Sequence, residues 1–310
     1  METKLTLKEL SKREDLFTYG HRLCAGCGEA IIVKMVLAAS DYPIVACSPT
    51  GCLEVSSCIS HYTAWRIPWI HSAFENAAAT IAGVESMYQA LKKKGKMDKE
   101  VKFVVFAGDG GTYDIGFQSL SGAMERGHDI LYICLNNEAY MNTGIQRSSA
   151  TPLGSDTTTS PAGTVIPGKS QPRKDMTKIM AAHNIPYASQ ASPSHWLDLM
   201  KKVKKSLGIK GSKFMNIFTP CHRGWRSKSD DAIEMSRLAV DTCYWPLYEV
   251  EDGVTRITSK PKEKKPLVDF LKPQGRFRHL FSPENEWVVK RLQEEVDRNW
   301  ETLLKAEATD

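Results

Sequence analysis

Two uninterrupted apolar runs limit what this chain can fold into more than any other feature. "VKFVVFAGDG" (residues 101–110) and "DILYICLNNEAY" (residues 129–140) flank "YDIGFQSLSGAMERG" (residues 113–127), which has helical spacing and ends on Gly127. Strands that are apolar at every position, not at alternate ones, are buried on both faces, as in a parallel sheet covered by helices. Strand, helix, strand in that order is a βαβ unit. The surrounding segments repeat the pattern. Gly28 to Ser40 reads as a helix, "PIVACSPTGC" as a strand and turn, and Glu75 to Lys96 as a helix whose small face (Ala77, Ala78, Ala79, Gly83) admits a close neighbour. Residues 175–221 read as helix, strand, helix and a last strand leading to Cys221. The expected fold class is therefore α/β, a mostly parallel sheet covered by helices, with its site at the carboxyl ends of the strands.

That domain is expected to span residues 1–257. From Thr258 the chain turns basic and proline-punctuated, then ends in a helix from Ser282-Pro283 with Trp287, Leu292, Val296, Trp300 and Leu303 as apolar positions. Residues 258–310 are read as a C-terminal arm contacting a neighbouring subunit, the alternative being a helix packed on its own domain. Residues 141–174 are rich in Thr, Ser, Gly and Pro; a loop of that length in a compact domain is more often functional than idle.

Composition removes several function classes. The net charge of +5 is small for 310 residues, and no stripe of Lys/Arg with interleaved aromatics marks a nucleic-acid surface. The opening "METKLTLKELSKREDLF" is too polar for a signal peptide, and no apolar run is long enough to cross a bilayer. The expected location is cytoplasmic. Eight cysteines in such a chain point to metal, cluster or catalytic use before a disulfide framework.

"GDGGTYDIG" stands where a strand ends and a helix begins, a place whose free backbone N–H groups favour phosphate. Gly108, Gly110 and Gly111 allow close approach, and Asp109 offers a hard oxygen to Mg²⁺. The end of the following strand, "LNNEAYMNTG", adds the side-chain oxygen of Asn137, the carbonyl of Ala139 and the polar Asn142. Adjacent parallel strands bring both ends together, so these oxygens can share one cation. Neither a G-x-G-x-x-G fingerprint nor a Walker lysine is present to favour a nucleotide. Of the cysteines, Cys24 and Cys27 form a C-x-x-C in "GHRLCAGCGE", while Cys52 and Cys221 stand apart. Structural zinc more usually draws two close pairs, a redox pair needs only two sulfurs, and an iron–sulfur cluster needs four thiolates but accepts irregular spacing.

"GDG" followed by a helix, a strand and Asn136-Asn137 resembles the thiamine diphosphate motif of thiamine-dependent enzymes. With "CAGCGE", "TGCLE", "YTAW", "PWIHSAFENAAA" and "NNEAYMNTGIQRSSATP", residues 15–250 resemble the thiamine-binding β subunit of the pyruvate:ferredoxin and related 2-oxoacid:ferredoxin oxidoreductases. The resemblance implies thiamine diphosphate, Mg²⁺ and a [4Fe–4S] cluster as cofactors. It implies Cys24, Cys27, Cys52 and Cys221 as cluster ligands, and Asp109, Asn137 and the Ala139 carbonyl as Mg²⁺ ligands. Glu29 and Cys52 would border the thiamine; Gly108, Asp109, Gly110, Gly111, Tyr140 and Asn142 would contact its diphosphate or thiazolium side. The implied reaction is oxidative decarboxylation, with electrons passed to the cluster and on to ferredoxin. The implied partners are an α subunit completing the active site and a ferredoxin-like subunit with further clusters, in a dimer of heteromers. A non-oxidative thiamine-dependent decarboxylase or ligase would need no cluster cysteines, and a cluster-only electron carrier would need no metal–diphosphate site.

The chain departs from the family's pyruvate enzymes at two places. "SSCISHYTAW" adds His61, and "CHRGW" adds His222 and Arg223. Facing the site, they would suit a more anionic substrate, giving a slight lean to oxalate, which yields only CO₂, over pyruvate with coenzyme A. No catalytic residue is assigned outright; His61, Asn142, His222 and Arg223 are the candidates near substrate. Cys47 and Cys134 read as packing, and Cys58 and Cys243 match no ligand position. His71 and Glu75 read equally as polar site residues or structural contacts, and His21 as a residue that shapes its loop.

Overall fold

A computed structural model describes residues 5–59 and 61–309. Its centre is an eight-stranded sheet built from β1 (Ile44–Pro49), β4 (Trp69–Ser72), β5 (Lys102–Gly108), β6 (Ile130–Asn136), β7 (Tyr187–Ala191), β8 (Lys213–Phe218), β9 (Leu247–Glu251) and β10 (Val254–Ser259). A small antiparallel hairpin, β2 (Cys58–Ile59) and β3 (Tyr62–Thr63), stands apart. The order across the sheet is β10-β9-β7-β8-β6-β5-β1-β4. Pairing is parallel from β4 through β7, while β9 and β10 are antiparallel. The mostly parallel α/β expectation holds.

The apolar runs divide between two faces with the two-residue period of a strand. Val104, Phe106, Leu131, Ile133 and Leu135 share one core with the helices Gly28–Ala39 and Trp196–Gly208. Phe103, Val105, Ala107, Ile130 and Tyr132 share the other with the helices Ala77–Lys93 and Phe117–Glu125. Cys47 and Cys134 lie in this second core, fully buried, and serve as packing. The helix expected over 113–127 begins instead as a π-helical turn, Gly110–Asp114, and becomes α-helical only at Phe117–Glu125.

The C-terminal segment folds back on its own chain. Leu267, Phe270, Leu271, Phe277, Leu280, Val288, Leu292 and Val296 form a third core with Phe218, Trp225, Tyr244 and Trp245. Glu307 binds the end of β10 through the N–H of Ile257 (2.9 Å) and Nζ of Lys260 (2.6 Å). The division expected at residue 257 therefore falls inside β10, and the arm's apolar side is taken up by this domain. Trp287 remains half exposed on the opposite side of the last helix, Glu286–Thr309. Among the described residues, no helix is long and apolar enough to cross a membrane.

Candidate functional site

Adjacent parallel strands put the ends of β5 and β6 side by side, with Gly108 opposite Leu135. Gly108, Asp109, Gly110, Gly111, Asn137, Ala139, Tyr140 and Asn142 all line one crevice there, together with Glu29 and Cys52. Every residue expected around a diphosphate and its metal is thus brought together.

Asp109 is almost fully buried, and its two oxygens are held from different sides. Oδ1 accepts from the Asn137 N–H (3.3 Å), and Oδ2 accepts a short bond from the hydroxyl of Ser148. Burial pushes this carboxyl up to about 7, with the Ser148 bond opposing; a cation alongside would reverse that shift. Asn137 is fixed at two points: its Nδ2 donates to Glu29 Oε1 (3.3 Å) and its carbonyl accepts from Trp225 Nε1 (2.9 Å). Its Oδ1 is buried without a partner, as is Glu29 Oε2, and burial pushes the Glu29 carboxyl up to about 7. Orphaned buried oxygens in a native fold call for a reason. An orphan amide oxygen, an acid and a backbone carbonyl form the hard-oxygen set that Mg²⁺ takes, so the residues fit the implied metal. Gly110 also has no room for a side chain: a Cβ there would stand 2.4 Å from the Tyr140 ring.

The four cysteines singled out in the sequence face one another across a second cavity of about 310 Å³. Cys24 is exposed, Cys27, Cys52 and Cys221 are half-buried, and all four are free thiols. Burial first, and then the nearby Glu29 carboxyl and neighbouring thiols, push Cys27 and Cys52 well above the ordinary thiol range. Cys221 is raised by burial too, opposed by the Gly224 N–H bonded to its sulfur (3.4 Å). Among the described residues, no three His, Cys, Asp or Glu side chains are gathered tightly enough for a single metal ion; the thiols ring a space instead of converging on a point. That donor set fits a polynuclear cluster, which brings its own cations to stabilise the thiolates. Glycine makes the loop possible. Gly26 has φ +82°, and a Cβ on it would lie 1.8 Å from the Ser229 carbonyl oxygen. The two spaces share a wall, since Glu29, Cys52, Asn137 and Asn142 line both.

The remaining candidates separate. His222 and Arg223 line the thiol cavity but not the crevice; burial and then Arg223 lower the His222 imidazole. His61 sits exposed in the turn just before β3 with φ 69° and lines neither space. His71 Nδ1 lies 2.6 Å from the buried Glu54, which also accepts from Cys58 Sγ at 3.2 Å. Glu75 is exposed, His21 stacks on Phe17, and Cys243 belongs to the third core. Sequence reasoning missed Ser148 and Trp225, whose only signal was their place in the long polar loop and four residues after Cys221.

The thiamine pyrophosphate enzyme C-terminal TPP-binding domain model matches residues 49–217. The chain is 54% identical to pyruvate synthase subunit PorB of Thermotoga maritima over 98% of this chain and 96% of that one. It is 54% identical to the PorB of Methanocaldococcus jannaschii, over 94% and 97% respectively. Against the ketoisovalerate oxidoreductase subunit VorB of Pyrococcus abyssi the identity is 43%, over 94% and 93%. The fold is also that of a 2-oxoglutarate:ferredoxin oxidoreductase from Magnetococcus marinus, with TM-score 0.54 at 18% identity over 71% of this chain and 79% of that one. With a thiamine-domain match across the crevice and near full-length identity to these subunits, the chain belongs to the β-subunit family of the 2-oxoacid:ferredoxin oxidoreductases.

Proposed function

We propose that this chain is the thiamine diphosphate- and cluster-binding β subunit of a pyruvate synthase, active with partner subunits, turning pyruvate and coenzyme A into acetyl-CoA and CO₂ while reducing ferredoxin. The observation that carries this reading is the 54% identity, over nearly the whole chain, to pyruvate synthase subunits of two different organisms. Pyruvate replaces the slight lean to oxalate. The basic residues behind that lean either ring the thiol cavity, as His222 and Arg223 do, or stand apart from both spaces, as His61 does. Positive charge around the thiols suits an anionic cluster at least as well as an anionic substrate. The ketoisovalerate relative favours a branched 2-oxoacid as the second reading.

When bound, thiamine diphosphate supplies the nucleophilic carbon and electron sink that decarboxylation requires. The chain's own residues would do the rest. Asp109, the free Oδ1 of Asn137 and the Ala139 carbonyl would hold Mg²⁺, with Ser148 fixing the Asp109 rotamer. Gly110 and Gly111 would let the diphosphate approach backbone, and Tyr140 and Asn142 would close its side. Cys24, Cys27, Cys52 and Cys221 would hold a [4Fe–4S] cluster. The shared wall at Glu29, Cys52 and Asn137 supports direct electron transfer between the two sites and speaks against a non-oxidative thiamine enzyme, which needs no thiols there. An α subunit, a ferredoxin-like subunit and a dimer of heteromers complete the proposal, with residues 258–310 offering the outer side of the last helix to a partner.

The test is viologen reduction by the anaerobically purified complex. Pyruvate with coenzyme A should reduce the dye far faster than 2-ketoisovalerate does. A reversed preference would move the chain to the branched-chain enzymes.

A further inference from the structure

Glu138 has no role in the site described so far, yet it is fully buried and stands between two of the proposed metal ligands, Asn137 and Ala139. Its backbone lies in the left-handed region with φ 69°, which a residue carrying a Cβ adopts only where its surroundings enforce it. Those surroundings are visible. Its N–H donates to Asn136 Oδ1 (3.0 Å) and its carbonyl accepts from Thr151 Oγ1 (2.6 Å). Its carboxylate accepts at Oε1 from the Tyr244 hydroxyl (2.5 Å) and from Arg173 (3.4 Å), and at Oε2 from Arg276 Nη2 (2.5 Å).

Arg276 comes from the C-terminal segment, 138 positions further along the chain, and is itself buried. Gln274 accepts from its Nε (2.9 Å) and Nη2 (2.7 Å), which orients the guanidinium as a fork. The same guanidinium lies 4.3 Å from the centroid of the Trp225 ring, and that ring's Nε1 donates to the Asn137 carbonyl. Arg276 therefore reaches the loop after β6 by two routes, one through the Glu138 carboxylate and one through the Trp225 ring.

We infer that Arg276 is a positioning residue for the metal end of the crevice. By holding Glu138 it maintains the left-handed kink that turns the oxygens of Asn137 and Ala139 toward one cation. The inference rests on the metal assignment proposed above. Tyr244 and Arg173 both reach Oε1, and among the described residues Arg276 is the partner of Oε2. Without Arg276, half of a buried carboxylate loses its compensation. Any shift of that side chain toward a new partner pulls on the backbone between the two ligands. Trp225, over which Arg276 lies, is the outer-shell partner of the Asn137 carbonyl, and such partners commonly matter by about 10–100-fold in metal affinity.

The experiment is a Mn²⁺ titration, read by electron paramagnetic resonance, of the intact complex carrying the full-length chain with thiamine diphosphate at saturation. Arg276→Met should weaken Mn²⁺ binding about 10–100-fold at a temperature where circular dichroism and iron content match the unmutated complex. Arg276→Lys, which keeps the charge toward Glu138, should recover most of that loss. A folded Arg276→Met complex that binds Mn²⁺ within about twofold of the unmutated one, against that 10–100-fold expectation, overturns the inference. If Arg276→Met does not accumulate as a folded chain, Glu138→Gln, which keeps the size and the Tyr244 bond, carries the same two outcomes. Asn137→Ala separates the two levels of the argument. If it leaves Mn²⁺ affinity unchanged, the metal assignment fails and takes the inference with it. If it weakens binding while Arg276→Met does not, the inference alone fails.

Discussion

The crevice and the thiol cavity share Glu29, Cys52, Asn137 and Asn142, yet they are built in opposite ways. In the crevice, the donors are buried and held by their own chain: Asp109 by Ser148 and the Asn137 N–H, Asn137 by Glu29 and Trp225. In the cavity, the thiols come from three separate turns, one of them is exposed, and Cys221 has a backbone donor at 3.4 Å. The first is a preformed set of oxygens with Asn137 Oδ1 and Glu29 Oε2 left without partners. The second is a ring of sulfurs that gains its cohesion from what it binds. A defect in the outer layer of the crevice should therefore read as a loss of affinity, whereas loss of one sulfur should read as loss of the whole group.

The largest expected effect comes from breaking either region outright. Cys221→Ser and Asp109→Ala should each bring pyruvate-dependent viologen reduction to background, measured on anaerobic complexes of equal subunit composition. Next is Gly110→Ala, whose new methyl would meet the Tyr140 ring at 2.4 Å. Overpacking of this kind costs about 1–3 kcal/mol, so the denaturation midpoint should fall, and thiamine diphosphate should bind more weakly because the displaced Tyr140 ring lines the crevice. Ser148→Ala removes the donor to Asp109 and nothing that would touch cofactor directly. It should raise the half-saturating Mg²⁺ concentration about 10–100-fold while cluster iron is unchanged, as metal-dependence of activity and iron analysis would report. The smallest effect belongs to His61→Ala. An exposed side chain outside both spaces should leave the substrate preference and the cluster iron as they were.

How far this arrangement can be read from sequence depends on whether the signal is local. The β5 and β6 runs are apolar throughout because both faces are covered, and their ends carry Gly-Asp-Gly and Asn-Asn, so strands, order and crevice follow from short stretches. The four cysteines are visible as residue types, but their convergence is a property of the fold: Cys221 lies far from Cys24 in sequence, and the two turns meet where the Gly28 N–H donates to the Pro220 carbonyl (3.4 Å). The C-terminal segment is where pattern fails. Leu267, Phe270 and Leu271, then Phe277 and Leu280, are buried with helical spacing that lasts about one turn each, too short between prolines to stand out as a pattern. Arg276 breaks the expectation that arginine stays outside, and nothing near it in sequence announces Glu138. The β9–β10 hairpin is marked in sequence only by Asp252-Gly253, both at positive φ, a hairpin turn with short strands on either side.

The central claim is that one chain holds two separable sites across a shared wall. Thiamine and iron contents of the unmutated, Asp109→Ala and Cys221→Ser complexes, measured side by side under argon, test it most directly. The account predicts that Asp109→Ala loses thiamine diphosphate and keeps its iron, while Cys221→Ser loses one cluster's iron and keeps its thiamine. Iron content unchanged by Cys221→Ser would contradict it.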